Sequence, residues 1–349
     1  MTPSSERHPV LKLLLDRAND PHSRPGSRPD RQQLGLAFEG GGMRGVVTAG
    51  MSVALEALGL LRAFDVVYGS SAGAMNAAYF VTGHAAYGMT IYYQDINNRR
   101  FIDPRRALIG RPIVALDYLF ETIIGQRKVL NMAAVLSAAP PLKVVVSSLS
   151  RRQAVCLGAF DSDADLVEAL RASSSIPFLG GPPRTVKGEL WSDASLYEPI
   201  PYRSAEADGC THVLVIKTRP RGIERAQASF FERHVIAKSL GKIHPALRDD
   251  YLSRRGRYTE DLRYVRAKTD QPGSFGPFVY ALELPQGSPV VGTLERRRAV
   301  LVKSAAVSLD LATRTLTGQD CSVVEVLKPF TTKGQAIVDA HDATRSAFS

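Results

Sequence analysis

Two short stretches combine residue types and spacings that could do chemistry. The first is Glu39-Gly40-Gly41-Gly42-Met43-Arg44-Gly45, set between an apolar run and a helix-like run. The second, Gly69-Ser70-Ser71-Ala72-Gly73, fits G-x-S-x-G. A serine in that pattern sits on a sharp strand-to-helix turn that lifts its hydroxyl above a sheet edge. A glycine-rich turn at a helix start offers backbone N–H groups to negative charge, and the helix dipole assists. That turn has three readings. A P-loop needs Lys and then Ser or Thr after its last glycine, but Val46 and Val47 follow Gly45, which excludes it. A dinucleotide fingerprint fits Gly40-x-Gly42-x-x-Gly45, with Asp65 at the right distance for the ribose acid. Asp65, however, opens its strand instead of ending it. An oxyanion hole needs a nucleophile close by, and Ser71 supplies one.

A serine hydroxyl is weak without a base. Downstream histidines are His84, His212, His234, His244 and His341. None stands in a loop after a late strand with an acid partner upstream, so the sequence gives a histidine triad no support. The other base candidate is Asp193 in "ELWSDASLYEP". A short strand, Glu189 to Trp191, precedes it, and the small residues Ala194 and Ser195 follow. The competing reading is an ordinary turn aspartate that bonds its own backbone.

Alternating elements must position these groups. Leu34 to Phe38, Phe64 to Tyr68, Leu142 to Ser147 and His212 to Thr218 read as strands; Ala154 to Phe160 would pair as a hairpin. Val46 to Leu61, the Ala-rich run after the elbow, and Asp165 to Ser174 read as helices. Residues 84 to 135 read as mostly helical, broken near Pro104 and Pro112. Strands alternating with helices predict an α/β fold with a largely parallel sheet. Residues 1–33 read as a flexible arm, 34–218 as the core domain, and 219–349 as a mostly helical extension. The extension includes a strand candidate from Phe278 to Leu284 and a long basic amphipathic helix over 293–315. That helix, with Arg296 to Arg298 at one end, could pack ordinarily or lie on an anionic bilayer.

The chain has 349 residues, 44% of them hydrophobic, and a net charge of +10. It can bury a sizeable core. Its charge suits anionic surfaces, but the basic clusters lack the aromatic interleaving of a nucleic-acid platform, so no nucleic-acid partner is expected. Cys156, Cys210 and Cys321 form no CxxC pair, which disfavours a cysteine zinc site and fits a reducing compartment. No signal-peptide pattern and no membrane-spanning run is present, so a cytoplasmic protein is expected.

Taken in order, these pieces resemble the patatin-like phospholipase family. "EGGGMRG" is similar to its Gly-rich oxyanion motif, with Arg44 at the arginine position. "GSSAGA" looks like its nucleophile elbow, and "ASSSIPFL" (Ala172 to Leu179) like its Ala-Ser…Pro segment. "SDASL" stands in the place of its Asp-Gly-Gly or Asp-Gly-Ala motif. The likeness covers residues 34–218; beyond it there is only a looser likeness to bacterial patatin-like proteins with a helical extension. The resemblance implies a three-layer α/β/α core and a serine acyl hydrolase acting on lipid esters. Ser71 would be the nucleophile and Asp193 the proton acceptor, with no metal or organic cofactor. Gly40, Gly41, Gly42, Met43, Arg44 and Gly45 would form the oxyanion loop. Gly69, Ser70, Ala72 and Gly73 would shape the elbow. Arg44 would position the loop, meet a lipid phosphate, or serve only structure. One departure stands out: Ala194 and Ser195 replace the glycines of the aspartate motif, which works only if Ala194 needs no positive φ. That departure sustains the alternative of a catalytically impaired, patatin-shaped protein docking on anionic membrane.

Overall fold

Strands such as Leu34-Gly35-Leu36-Ala37-Phe38 are apolar on both faces, which requires helices on both sides of the sheet. The computed structural model describes residues 7–186, 188–223, 229–230 and 232–318. Within them one eight-stranded sheet forms. Its strands are β1 (Leu34–Phe38), β2 (Val66–Ser70), β3 (Leu142–Ser148), β4 (Gln153–Leu157), β5 (Arg184–Val186), β6 (Glu189–Ser192), β7 (His212–Ile216) and β8 (Phe278–Leu282). The spatial order is β5-β6-β3-β2-β1-β7-β8, with β4 also on β3. From β3 through β2, β1 and β7 to β8 the pairing is parallel; β4 and β6 run antiparallel to β3.

The helices are α1 (Pro9–Asn19), α2 (Gly45–Ala57), α3 (Ala72–Val81), α4 (Ala85–Gln94), α5 (Met132–Leu136), α6 (Asp163–Ser173), α7 (Tyr202–Ala207), α8 (Ala237–Ile243), α9 (Pro245–Asp270) and α10 (Arg298–Thr317). Alternation along β1 sends Leu34, Leu36 and Phe38 into one core with α2, α3 and α10. Ala37, Tyr68, Val213 and Val215 pack on the other face with Tyr258, Leu262 and Val265 of α9. The result is the expected three-layer α/β/α architecture around a mostly parallel sheet. Among the described residues no helix is long and apolar enough to cross a membrane.

The structure departs from the sequence expectations at several points. The segment before Leu34 is no free arm, because α1 buries Val10, Leu11 and Leu14. Arg17, only 2% exposed, donates to Asp30, Asp65 and two backbone carbonyls. The basic helix read at 293–315 begins only at Arg298, and of its two readings the ordinary packed one holds, with its apolar face against α2. The residues after Arg219 pack on the core: β8, within the strand candidate from Phe278 to Leu284, extends the sheet from β7, and α9 covers one face. Residues 84 to 135 break around Pro104 and Pro112, but the pieces on either side of Pro112 are 3-10 over Pro104–Ile109 and π-helical over Tyr118–Arg127, not α-helical.

Gly50 marks how closely α2 and α10 cross. A Cβ there would lie 2.2 Å from Ser308 Oγ and 2.5 Å from Ala305 O. Gly50→Ala should therefore destabilise the protein by about 1–3 kcal/mol through overpacking, read from the urea unfolding midpoint. On an uncrowded helix the same change would stabilise by about 1 kcal/mol, so a raised midpoint would contradict this packing.

Candidate active site

A strand has two edges, and on β3 this decides where the candidate residues go. β4 bonds β3 along Val144 to Ser148. β2 bonds it from Leu142, opposite Val67, to Val145, opposite Ser70. β6 must then share the β2 edge, where Ser192 faces Ser147 and Trp191 faces Ser148. Parallel β2 and antiparallel β6 thus run head-on and stop two β3 residues apart, about 7 Å. Each is followed at once by a candidate side chain, Ser71 after β2 and Asp193 after β6.

Ser71 has φ 53° and ψ −125°, in the left-handed half of backbone space that non-glycine residues avoid. The turn is that tight because α3 starts at Ala72 and folds back on the strand. A Cβ at Gly73 would lie 2.4 Å from Phe38 O, so only glycine fits there. The strain is held by hydrogen bonds. Ser71 N–H donates to Ser173 Oγ at 2.8 Å, and the Ser173 hydroxyl donates to Val145 O at 2.6 Å. Ser70 Oγ donates to Glu198 O at 2.8 Å. The "ASSSIPFL" segment also anchors the opposing strand: Ser175 O accepts Asp193 N–H at 3.0 Å and Ser192 Oγ at 2.8 Å.

Asp193 is buried and accepts the Ser195 N–H at 2.7 Å, so it caps a one-turn 3-10 helix, Ala194–Leu196. The turn reading of Asp193 is therefore correct in local geometry, and it leaves the residue on the cavity wall. Ala194 lies outside the positive-φ residues. The alanine in place of the family's glycine is accommodated without strain.

The glycine turn leaves β1 and is pinned on both flanks. Gly40 N–H donates to Pro199 O at 3.0 Å, Met43 N–H to Thr293 O at 3.0 Å, and Arg44 N–H to Gly41 O at 3.3 Å. Gly45 N–H is taken by Gly42 O and Met43 O. Among the described residues the N–H groups of Gly41 and Gly42 have no acceptor. Arg44 donates from Nη1 to Thr293 Oγ1 and so ties the turn to the segment before α10. Beneath it, buried Glu39 accepts the Tyr258 hydroxyl and the Thr218 N–H, each at 2.6 Å.

A cavity of about 480 Å³ gathers these pieces. Gly40 to Arg44, Ser71, Ala72 and Asp193 form its floor. Ile91, Ile96, Phe101, Ile113, Leu116 and Leu119 make an apolar wall, and Arg219, Glu232, Arg254 and Tyr258 a polar one. Gly45, Gly69, Ser70 and Gly73 shape the turns behind the lining. No described histidine reaches the cavity. His84 bonds Thr82 O, His212 packs on Phe278 beside Thr211, His234 stacks on Phe230, and His244 caps α9. His341 and Cys321 lie outside the described residues. Asp65 is at the opposite end of the sheet, where it accepts from Arg17, Arg28 and Leu34 N–H. The ribose-acid role is thereby excluded. Among the described residues no group of three His, Cys, Asp or Glu could hold a metal ion.

Sequence reading missed Ser173, Glu39, Tyr258 and Thr293. Ser173 stood inside a quoted motif without a role, and Glu39 follows β1 directly. Tyr258 and Thr293 meet partners 219 and 249 residues away, and no local pattern signals them.

Residues 36–206 match the family model described as patatin-like phospholipase. An uncharacterized protein of Escherichia coli (strain K12), YjjU, is 28% identical over 193 residues, or 54% of this chain and 52% of that protein. The chain thus spans about half the length of that curated relative. The crystal structure of VipD from Legionella pneumophila aligns with a TM-score of 0.40 at 14% identity, covering 83% of this chain and 67% of that one.

Burial pushes Glu198 up to about 7 from 4.5, although the Ser204 N–H and hydroxyl both donate to it at 2.7 Å. The native state therefore holds a proton that the unfolded chain has lost, and stability falls as pH rises from about 4.5 to about 7. Between pH 5 and 8 the wild type should lose on the order of 2–3 kcal/mol more unfolding free energy than Glu198→Gln. Parallel pH profiles for the two proteins would refute this assignment.

Proposed function

Because residues 36–206 are a patatin-like phospholipase domain, and so of the lipid acyl hydrolases, we propose that this chain hydrolyses carboxylic esters of lipids through Ser71 and Asp193. The observation that carries the reading is the head-on meeting of β2 and β6, which brings a strained serine and a buried aspartate to one cavity. In the first half-reaction Ser71 Oγ attacks the ester carbonyl carbon while its proton passes to the Asp193 carboxylate. Negative charge develops on the carbonyl oxygen, where the open N–H groups of Gly41 and Gly42 receive it. One such donor is worth roughly 3 kcal/mol of barrier in well-studied hydrolases. Collapse expels the alcohol, which takes the proton from Asp193, and leaves an acyl-enzyme on Ser71. Water then attacks the acyl carbon and gives its proton to Asp193. Fatty acid leaves as the proton returns to Ser71.

Several features support this assignment. The apolar wall suits an acyl chain, and the polar wall suits the alcohol side of a lipid ester. Asp193 already spends one oxygen on the Ser195 N–H, which fixes the carboxylate orientation. Ala194 carries no backbone strain, so the departure at 194–195 gives no support to an impaired dyad.

Ser71→Ala should abolish fluorophosphonate labelling and lower ester hydrolysis by about a thousandfold or more, with Asp193→Asn close behind. Full hydrolysis by either variant would sink the dyad. Ser173 acts as a positioning residue. Ser173→Ala should lower kcat by about ten- to a hundredfold with KM unchanged, because the elbow loses the hydroxyl that fixes it. An unchanged kcat, or a matching rise in KM alone, would contradict that role.

A further inference from the structure

Residues 99–113, "RRFIDPRRALIGRPI", form a loop with a firm base and an unburied tip. Ile102 and Val114 bridge its two arms, and Asp103 N–H donates to Ile113 O at 2.9 Å. Ile113 N–H and Val114 N–H bond Phe178 O and Leu179 O at 3.0 and 2.8 Å. Inside the loop the Arg106 guanidinium donates to the carbonyls of Arg99, Arg100, Phe101 and Ile113. Four carbonyls take its Nη hydrogens and leave its charge in place. On this braced base Leu108 is 87% and Ile109 70% exposed, with half-exposed Phe178 beside the base. Scattered apolar residues on a surface need no explanation. Two adjacent large aliphatics on a tied-down tip are a different matter.

The charge around the tip is one-sided. Arg99, Arg100, Arg105, Arg106 and Arg111 face only Asp103 within the loop, a surplus of four positive charges. Asp103 is engaged by Arg105. A second crevice, of about 470 Å³, opens beside the loop and is lined by Arg106, Arg111, Arg171 and Arg184. Asp117 and Glu121 pair with Arg171, and Glu168 with Arg184. The roots of the loop, Phe101, Ile102, Ile113 and Val114, line the cavity that holds Ser71.

We propose that this loop docks the protein on an anionic lipid surface: Leu108 and Ile109 enter the acyl region while Arg99, Arg100, Arg105 and Arg111 meet lipid phosphates. An apolar tip flanked by cations is the combination that binds such surfaces, since neither apolar area nor charge alone holds firmly. Docking there would set the apolar end of the cavity against the membrane. Only that consequence rests on the lipid-ester reading; the docking stands on exposure and charge. The loop takes over the membrane role that the packed α10 cannot fill.

The test is co-sedimentation of the full chain with vesicles of phosphatidylcholine alone, or of equal parts phosphatidylcholine and phosphatidylglycerol. Wild type and Ser71→Ala should bind the anionic vesicles equally, and neither should bind the neutral ones well. Leu108→Asp with Ile109→Asp should weaken binding by about tenfold or more. Arg105→Glu with Arg111→Glu should weaken it and flatten its salt dependence. The two loop variants should keep the wild-type unfolding midpoint and the wild-type hydrolysis of soluble 4-nitrophenyl butyrate. Undiminished binding by the Leu108/Ile109 variant would overturn the proposal, as would equal wild-type binding to both vesicle types. So would a self-association that the same variant abolishes in the absence of vesicle binding. If docking fails while Ser71→Ala remains inactive, the proposed chemistry survives; the reverse pattern separates them equally well.

Discussion

The candidate site depends on one constraint: the edge of β3 that carries β2 has room beyond Val145 for a second strand running the other way. The β3–β4 hairpin occupies the opposite edge and leaves β6 no alternative. Two strands separated by more than a hundred residues therefore end face to face. Ser173 closes the gap between them. Its hydroxyl links the Ser71 N–H to Val145 O, while two residues on, Ser175 O holds Asp193 and Ser192. A left-handed serine is costly, of order 1–3 kcal/mol, and persists only where its surroundings over-determine it. Here the strand pairing, the helix start at Ala72 and Ser173 all act on the same residue.

The glycine turn is shaped by both halves of the chain. Pro199, in the segment after Asp193, takes the Gly40 N–H, and Thr293, just before α10, takes the Met43 N–H. Those two anchors hold a turn in which Gly41 and Gly42 line the cavity and, among the described residues, their N–H groups have no acceptor. Tyr258 on α9 holds Glu39 at the root of the same turn. The stretch after Arg219 is thus part of the site's support, beyond the reach of the 36–206 family match.

Much of this was legible in the sequence because it is local. β1, the elbow, the β3–β4 hairpin and the short strand before Asp193 each announce themselves by period, turn residues or β-branched runs. Asp65 could be doubted as a ribose acid from its place at the start of a strand, and its pairing with Arg17 and Arg28 explains why it is there. What stayed hidden is long-range. The Pro- and Arg-rich stretch before Leu34 looks like a linker until Arg17 finds Asp30 and Asp65. The helix after Arg297 looks basic because its arginines cluster at one end, while Leu301, Ala305, Leu309 and Ala312 turn inward. Pro104 and Pro112 mark the breaks in the helical run over 84 to 135, but nothing local shows that the apolar tip between them faces solvent.

In the proposed chemistry Ser71, Asp193 and the Gly41–Gly42 amides converge on one reacting carbonyl. The most direct measurement is a crystal structure of the protein inactivated by a fluorophosphonate, whose phosphoryl oxygen stands in for the oxyanion. Phosphorus should be bonded to Ser71 Oγ, with its oxygen within hydrogen-bond distance of the Gly41 and Gly42 N–H groups and Asp193 beside Ser71. An adduct on another residue, or a phosphoryl oxygen turned away from that turn, would contradict it.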